Sequence, residues 1–130
     1  MHRRHFLLAI LPIAVTLAGC ATPPPTEQPA IVFFTGDSAA LEAPALEVIR
    51  SAAAVAQRFP AQPIQVMGFA GPTGGRPFNQ ALSRARAEHV VDELTKAGVA
   101  RNRISVVARG PVAFEFAELE SRRVEIRFGS

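Results

Sequence analysis

The first 29 residues determine how much of this 130-residue chain is left to fold. Arg3 and Arg4 precede an almost unbroken apolar run over residues 6–17. That run has about a dozen residues, whereas a helix needs about 20 to cross the hydrocarbon core of a bilayer. A basic start followed by a short apolar run is typical of a cleaved secretory signal. We therefore expect residues 1–19 to be removed, which leaves roughly a hundred residues, enough for one domain and too few for two.

The apolar run ends in Leu17-Ala18-Gly19-Cys20, which resembles the lipobox of bacterial lipoproteins. Cys20 is the only cysteine, so in an oxidising compartment it has no disulfide partner within the chain, and acylation explains it better. The alternative is a conventional signal peptide with a coincidental cysteine. Because Ala21, and not aspartate, follows the cysteine, the resemblance to sorted lipoproteins implies anchoring in the outer membrane with the domain in the periplasm.

Residues 20–29 form the predicted tether. This segment contains Pro23, Pro24, Pro25 and Pro29, a composition that favours extended polyproline II and excludes a helix or a sheet ladder. At about 3.1 Å per residue, the stretch from residue 21 to residue 29 reaches at most about 28 Å. We therefore expect the folded domain to be held close to its membrane.

Periodic apolar segments from residue 30 onward predict one domain over residues 30–130. Strands are predicted at residues 31–34, 64–69, 104–108 and 123–128. The first helix is predicted to begin with Asp37 or Ser38 as its N-cap and to end before Pro60. The second is predicted from about Asn79 to Ala97, with Gly98 as its stop signal.

The resulting order, β-α-β-α-β-β, predicts the α+β class, with a mixed sheet covered on one side by two helices. The two helical crossovers imply parallel neighbours, and the final pair of strands implies an antiparallel component. In the last strand Arg123, Glu125 and Arg127 alternate with apolar residues, which predicts one face exposed to water.

The same residues give no support to catalysis, metal binding or nucleic-acid binding. His89 is the only histidine after cleavage, and no second histidine or cysteine lies near it to complete a metal site. The glycine-rich residues 71–75 lack the lysine of a phosphate-binding loop. Of the 14 basic residues, Arg3 and Arg4 lie in the expected signal, leaving 12 against 11 acidic ones and no basic stripe. We expect no catalytic residue, no cofactor, no metal and no nucleic-acid partner.

A family becomes visible between residues 68 and 94. Its motifs here are Gly68-Phe69-Ala70-Gly71-Pro72-Thr73-Gly74, Phe78-Asn79, Leu82-Ser83, Arg86-Ala87 and, near the end, Ser121-Arg122-Arg123-Val124. Together they resemble the peptidoglycan-binding domain of the OmpA and Pal type, over about residues 31–128. The resemblance implies the fold predicted above and non-covalent binding of the diaminopimelate residue of the peptide stem, without chemistry.

Carried onto this sequence, the resemblance places the arginine that grips the ligand carboxylate at Arg86, the loop threonine at Thr73 and the family's asparagine at Asn79. Asn79 and Arg86 are seven residues apart, so they share one face of a helix. Two plainer interpretations stay open: Arg86 as an exposed helix arginine, and Asn79 as a helix cap.

Gly71 is the main departure from the family pattern, because it stands where the family has the aspartate that holds the ligand ammonium group. Ala70 likewise replaces a threonine. We expect Asp37, in the loop after the first strand, to supply the missing negative group; its alternative role is the N-cap of the first helix. Two functions therefore remain: a lipoprotein that links the outer membrane to peptidoglycan, and an envelope module for protein contacts with a degraded site.

Overall fold

The computed structural model describes residues 28–129, in which the predicted order of elements is confirmed. The strands are β1 (Ala30–Phe33), β2 (Ile64–Ala70), β3 (Ile104–Pro111) and β4 (Arg123–Phe128), and the helices are α1 (Ala43–Arg58) and α2 (Arg76–Lys96). Among these residues no helix is long and apolar enough to span a membrane. The predicted signal segment, Cys20 and most of the tether lie outside the described residues.

Helix α1 begins later than predicted. Its N-cap is Glu42 and Pro44 lies in the first turn, so the predicted caps Asp37 and Ser38 are wrong. The hydroxyl of Ser38 instead accepts a hydrogen bond from the backbone N–H of Ala40, at 2.9 Å, which stabilises a local turn before the helix. Asp37 is therefore free of a capping role.

Helix α2 begins earlier than predicted, at Arg76, because Pro77 suits a first helical turn. It ends before Gly98, whose φ of 99° is readily adopted only by glycine. One face of the helix is buried; its buried residues are Asn79, Leu82, Ser83, Arg86, Ala87, Val90, Val91 and Leu94.

The sheet has the strand order β1-β4-β2-β3. β2 and β3 are parallel, as the crossover through α2 predicts. β1 and β2 are not neighbours, because β4 lies between them and is antiparallel to both. The prediction that both crossovers join adjacent strands is therefore wrong for the first one.

The central position of β4 also changes its predicted wet face. Glu125 is only 6% exposed, and its carboxylate accepts hydrogen bonds from Arg123 Nε at 2.8 Å and Arg127 Nη2 at 2.7 Å. A strand with neighbours on both sides presents no open edge, and the two arginines cover the carboxylate between them. Apolar and charged residues alternate along β4 as predicted, but Glu125 on the charged face is buried.

Helix α2 packs directly on β2 at Gly68. A Cβ atom added to Gly68 would lie 1.9 Å from the carbonyl oxygen of Ser83, which no side chain permits. Glycine here lets the helix backbone approach the sheet closely. This contact brings Arg86, about one helical turn beyond Ser83, to the carboxyl end of β2.

Candidate functional site

Arg86 is completely buried, with 0% of its surface exposed. It lies on α2 below the carboxyl end of β2 and the loop that follows β1. The interpretation of Arg86 as an exposed helix arginine is therefore wrong. A buried guanidinium in a small domain requires polar partners, because desolvation of an unpaired charge is costly.

Three backbone carbonyl oxygens provide those partners. Arg86 Nε donates to Ser38 at 2.9 Å, Nη1 to Phe69 at 3.0 Å and Nη2 to Gly36 at 2.8 Å. The guanidinium carbon lies 5.2 Å from the centre of the Phe34 ring, which adds a cation–π contact. One side chain thus connects α2, the end of β2 and the loop after β1.

The charge of Arg86 is not matched by any carboxylate in contact with it. Among residues 28–129, no aspartate or glutamate forms an ion pair with this side chain. Burial lowers the pKa of Arg86 from its usual value to about 10; nearby Asp37 opposes that shift and Arg122 adds to it. The group remains protonated at neutral pH, so the site is electropositive.

Asp37 is exposed and lies in the loop whose carbonyl groups hold Arg86. Its carboxylate is close enough to favour the charged form of Arg86 without bonding to it. One negative group therefore lies near the buried arginine, in a loop other than the glycine-rich one.

Asn79 is buried and fastens the glycine-rich loop to α2. Its Nδ2 donates to the carbonyl oxygen of Thr73 at 2.9 Å and to that of Gly75 at 3.3 Å. The N-cap of α2 is Gly75, no side chain caps this helix, and Asn79 lies inside it, so the cap interpretation of Asn79 is wrong. Thr73 is exposed on this loop.

Gly71 is half-buried at the start of the same loop. A Cβ atom there would meet only Ser121 Oγ, at 3.4 Å, so the backbone at this position has room for a side chain. Crowding therefore does not prevent this position from holding the aspartate that the resemblance implies.

Arg122 and the carbonyl groups around Arg86 were not identified by sequence reasoning. Arg122 pairs with Glu118 at 2.7 Å and contributes positive charge near Arg86. Its place in the Ser-Arg-Arg-Val motif was the available signal. The carbonyl partners carry no signal, because any residue type provides one.

His89, the remaining histidine of the predicted domain, is exposed on α2, with Nδ1 2.6 Å from the carbonyl oxygen of Ala39. No group of three or more histidine, cysteine, aspartate or glutamate side chains in the described part of the chain is arranged to hold a metal ion. Chemically, Arg86 is a fixed positive charge beneath the loop after β1, and such a charge attracts anions such as carboxylates.

Comparison with known proteins confirms the resemblance. The sequence profile of the OmpA family matches residues 33–120. The chain is 34% identical over 104 residues to the peptidoglycan-associated lipoprotein of Brucella melitensis, covering 74% of this chain and 62% of that protein. It is 31% identical over 105 residues to the probable lipoprotein YiaD of Escherichia coli, covering 76% and 48%. The chain thus spans less than two thirds of the length of these relatives.

Solved structures show the same fold. The peptidoglycan-associated lipoprotein of Burkholderia pseudomallei superposes with a TM-score of 0.69 at 23% identity, covering 76% of this chain and 89% of that one. The C-terminal domain of Helicobacter pylori MotB superposes with a TM-score of 0.68 at 27% identity, covering 80% and 85%.

Proposed function

The chain belongs to the OmpA family, and from that membership we propose that its domain binds peptidoglycan non-covalently, through a carboxylate of the diaminopimelate residue in the peptide stem. One observation carries the proposal. Arg86 is a fully buried cation that contacts no carboxylate among residues 28–129. A ligand carboxylate is the partner that such a group lacks.

The hydrogen bonds of Arg86 are compatible with this role. A guanidinium has five N–H donors, and backbone carbonyls accept from Nε and once from each terminal nitrogen. Each terminal nitrogen therefore keeps one N–H. Two such donors suit the two oxygens of a carboxylate, and three carbonyl contacts hold the group in a fixed orientation before the ligand arrives.

The other proposed site residues position or complement this arginine. Asn79 fixes the loop that carries Thr73, whose exposed hydroxyl is available to the ligand. Asp37 is proposed as the negative partner of the ligand ammonium group, in place of the family's aspartate at position 71. Its electrostatic influence on Arg86 supports this assignment.

The proposed setting is the inner surface of the outer membrane. A lipid on Cys20 would anchor the chain there, and the domain would reach the cell wall from the periplasm. The proposed role is binding without catalysis, so the protein would hold two layers of the envelope together. The names of the relatives, peptidoglycan-associated lipoprotein and probable lipoprotein, support this setting.

Co-sedimentation with isolated sacculi that contain diaminopimelate tests the proposal. Wild-type protein should sediment with the sacculi, and free diaminopimelate should release it. 1,5-Diaminopentane should not, since it has both amines of diaminopimelate and neither carboxylate. Arg86→Lys keeps the charge but cannot reproduce the planar contacts, so it should weaken sedimentation, whereas Arg84→Ala, at an exposed position of the same helix, should not.

Thermal melts of both variants separate loss of binding from loss of fold. Release by 1,5-diaminopentane as readily as by diaminopimelate contradicts carboxylate recognition at Arg86. Absence of sedimentation by the wild-type protein and by Gly71→Asp alike would favour the alternative, a module for protein contacts.

A further inference from the structure

The outer edge of β1 is unpaired in the described part of the chain. β1 pairs only with β4, and it forms one end of the sheet. In an antiparallel ladder, residues bonded to the neighbouring strand alternate with residues whose backbone groups point away. The backbone N–H of Phe34 donates to the carbonyl oxygen of Arg122 at 2.9 Å, so the backbone N–H and C=O groups of Val32 and Ala30 also point toward β4. The backbone N–H and C=O groups of Ile31 and Phe33 therefore point outward.

A pocket of about 370 Å³ lies beside this edge, on the sheet face opposite the helices. Its apolar lining includes the side chains of the same two residues, Ile31 and Phe33, together with Phe114. Phe33 is 47% exposed and Phe114 is 41% exposed. Pockets that take ligand groups have volumes from about 300 Å³ upward, so this one can admit a bulky apolar side chain.

The rim of the pocket is acidic. Glu115 and Glu120 line it, and among residues 28–129 the carboxylate of Glu115 takes part in no ion pair. The one cation in the lining, Arg123, is already bound to Glu125 at 2.8 Å. A basic side chain beside the apolar one would therefore be complementary.

The size of the edge argues for a short peptide and against a second copy of the chain. β1 has four residues, which corresponds to about 13 Å of strand. A stable protein dimer buries about 1,200 Å² or more in total. A short strand edge and one pocket suit a single extended segment, held by main-chain hydrogen bonds and by one side chain in a pocket.

We propose that β1 and the adjacent pocket form a second binding site, which takes an extended segment of another protein as an added strand. The segment carries a bulky apolar side chain, which enters the pocket, and a basic side chain two residues away on the same face, which meets Glu115. This site is separate from Arg86 and does not depend on peptidoglycan binding.

Fluorescence anisotropy with the whole chain in detergent micelles tests the proposal. The probe is a fluorescein-labelled five-residue peptide with phenylalanine at its centre, lysine at both ends and threonine between. It should bind saturably, and a control with glutamate in place of each lysine should bind roughly tenfold more weakly. Because alternate amides of a strand face opposite edges, one of the two alternately N-methylated forms should lose binding and the other should keep it.

Protein variants locate the site. Ile31→Pro removes an outward N–H without breaking the ladder to β4, and Phe33→Ala empties part of the pocket lining. Each should weaken binding roughly tenfold or more while the circular-dichroism melt stays cooperative. Phe78→Ala, which truncates an exposed phenylalanine outside the pocket, should bind the peptide like the wild type.

Any of three results overturns the proposal. The first is the absence of saturable binding at millimolar peptide. The second is equal behaviour of the two N-methylated peptides, which excludes strand addition. The third is self-association of the wild-type chain that Ile31→Pro abolishes, since the edge would then be occupied by a second copy.

Discussion

Position 71 is where the resemblance implies an aspartate and this chain has glycine. A side chain fits there, because its Cβ would only touch Ser121 Oγ at 3.4 Å. Asp37 approaches the buried Arg86 from another loop and caps no helix. A substitution that removes the charge of Asp37 therefore tests its role in binding without removing a helix cap.

We predict that Asp37→Asn keeps the melting temperature and weakens binding to sacculi roughly tenfold, since a charge-assisted hydrogen bond contributes about 1.5–3 kcal/mol. Gly71→Asp should restore binding in the Asp37→Asn background, because it places a carboxylate where the resemblance implies one. Sedimentation titrations and thermal melts of the single and double variants measure both effects.

Compensation by Asp37 is contradicted if Asp37→Asn binds sacculi as tightly as the wild type and Gly71→Asp alone binds them much more tightly. The native site would then be a degraded one that a single substitution repairs. Gly71→Ala is the matched control, since it adds bulk at the same position without charge.

A second prediction at this scale concerns acid stability. Burial tends to raise the pKa of Glu125, but hydrogen bonds from Arg123 and Arg127 outweigh it and hold the pKa below its usual 4.5. A depressed pKa means that the folded state gains stability above pH 4.5 and loses it as the carboxylate is protonated in acid. The free energy of unfolding should therefore decrease as the pH is lowered from about 4.5. In Glu125→Gln it should decrease less steeply over the same pH range.

Chemical denaturation between pH 2 and pH 7 measures this difference. Glu47→Gln provides the control, because Glu47 is exposed on α1. If the free energy of unfolding of Glu125→Gln depends on pH in acid as that of the wild type does, other carboxylates control the loss of stability in acid.

The sequence identified Arg86 and Asn79 as one helix face but did not reveal how Arg86 is held. The spacing of seven residues is local information. The carbonyl partners of Arg86 at Gly36 and Ser38 lie 50 and 48 positions away. Such contacts form only when the loop after β1 folds over α2, and backbone carbonyls leave no trace in composition. The helix-cap interpretations were wrong because each helix begins one residue before a proline, α1 before Pro44 and α2 before Pro77.

At the scale of elements, the contact between α2 and β2 depends on Gly68. We predict that Gly68→Ala destabilises the domain by about 1–3 kcal/mol, because the added methyl group forces the Ser83 backbone away from the sheet. For a domain of this size that corresponds to about 4–8 °C of melting temperature per kcal/mol. Gly71→Ala adds the same group where space exists and should melt within about 2 °C of the wild type. Equal melting of the two variants would contradict close packing at Gly68.

The elements themselves were largely predictable, whereas their arrangement was only partly so. Helix α1, helix α2 and the four strands follow from local periodicity, glycine and proline. The parallel pair β2 and β3 follows from the α2 crossover. The insertion of β4 between β1 and β2 does not, because it pairs residues near opposite ends of the domain, such as Ile31 with Glu125. Glu125 is charged, so the sequence also predicted that one face of β4 is exposed to water, although Glu125 is buried.

At the scale of the whole molecule, the first prediction concerns the proposed lipid on Cys20, a residue that lies outside the described residues. Wild-type protein should incorporate labelled fatty acid and partition with outer membranes. Cys20→Ala should give an uncleaved or soluble product without label, because a lipobox cysteine is the acylated residue. Fractionation of cells after labelling measures both, and an unlabelled wild-type chain would contradict the lipoprotein assignment.

The last prediction concerns the reach of the tether between that lipid and the domain. The sequence predicts an extended stretch of at most about 28 Å over residues 21–29, so contact with the wall depends on its length. Deleting residues 23–29 should reduce chemical crosslinking of the membrane-bound protein to peptidoglycan. Replacing them with glycine and serine of equal number should preserve crosslinking, because a flexible chain of that length still spans about 16 Å on average. Sacculus binding by detergent-solubilised protein should be unchanged in both variants, since Arg86 and its loop remain intact. Equal crosslinking by the deleted and full-length tethers would show that the wall is not the target of the anchored protein.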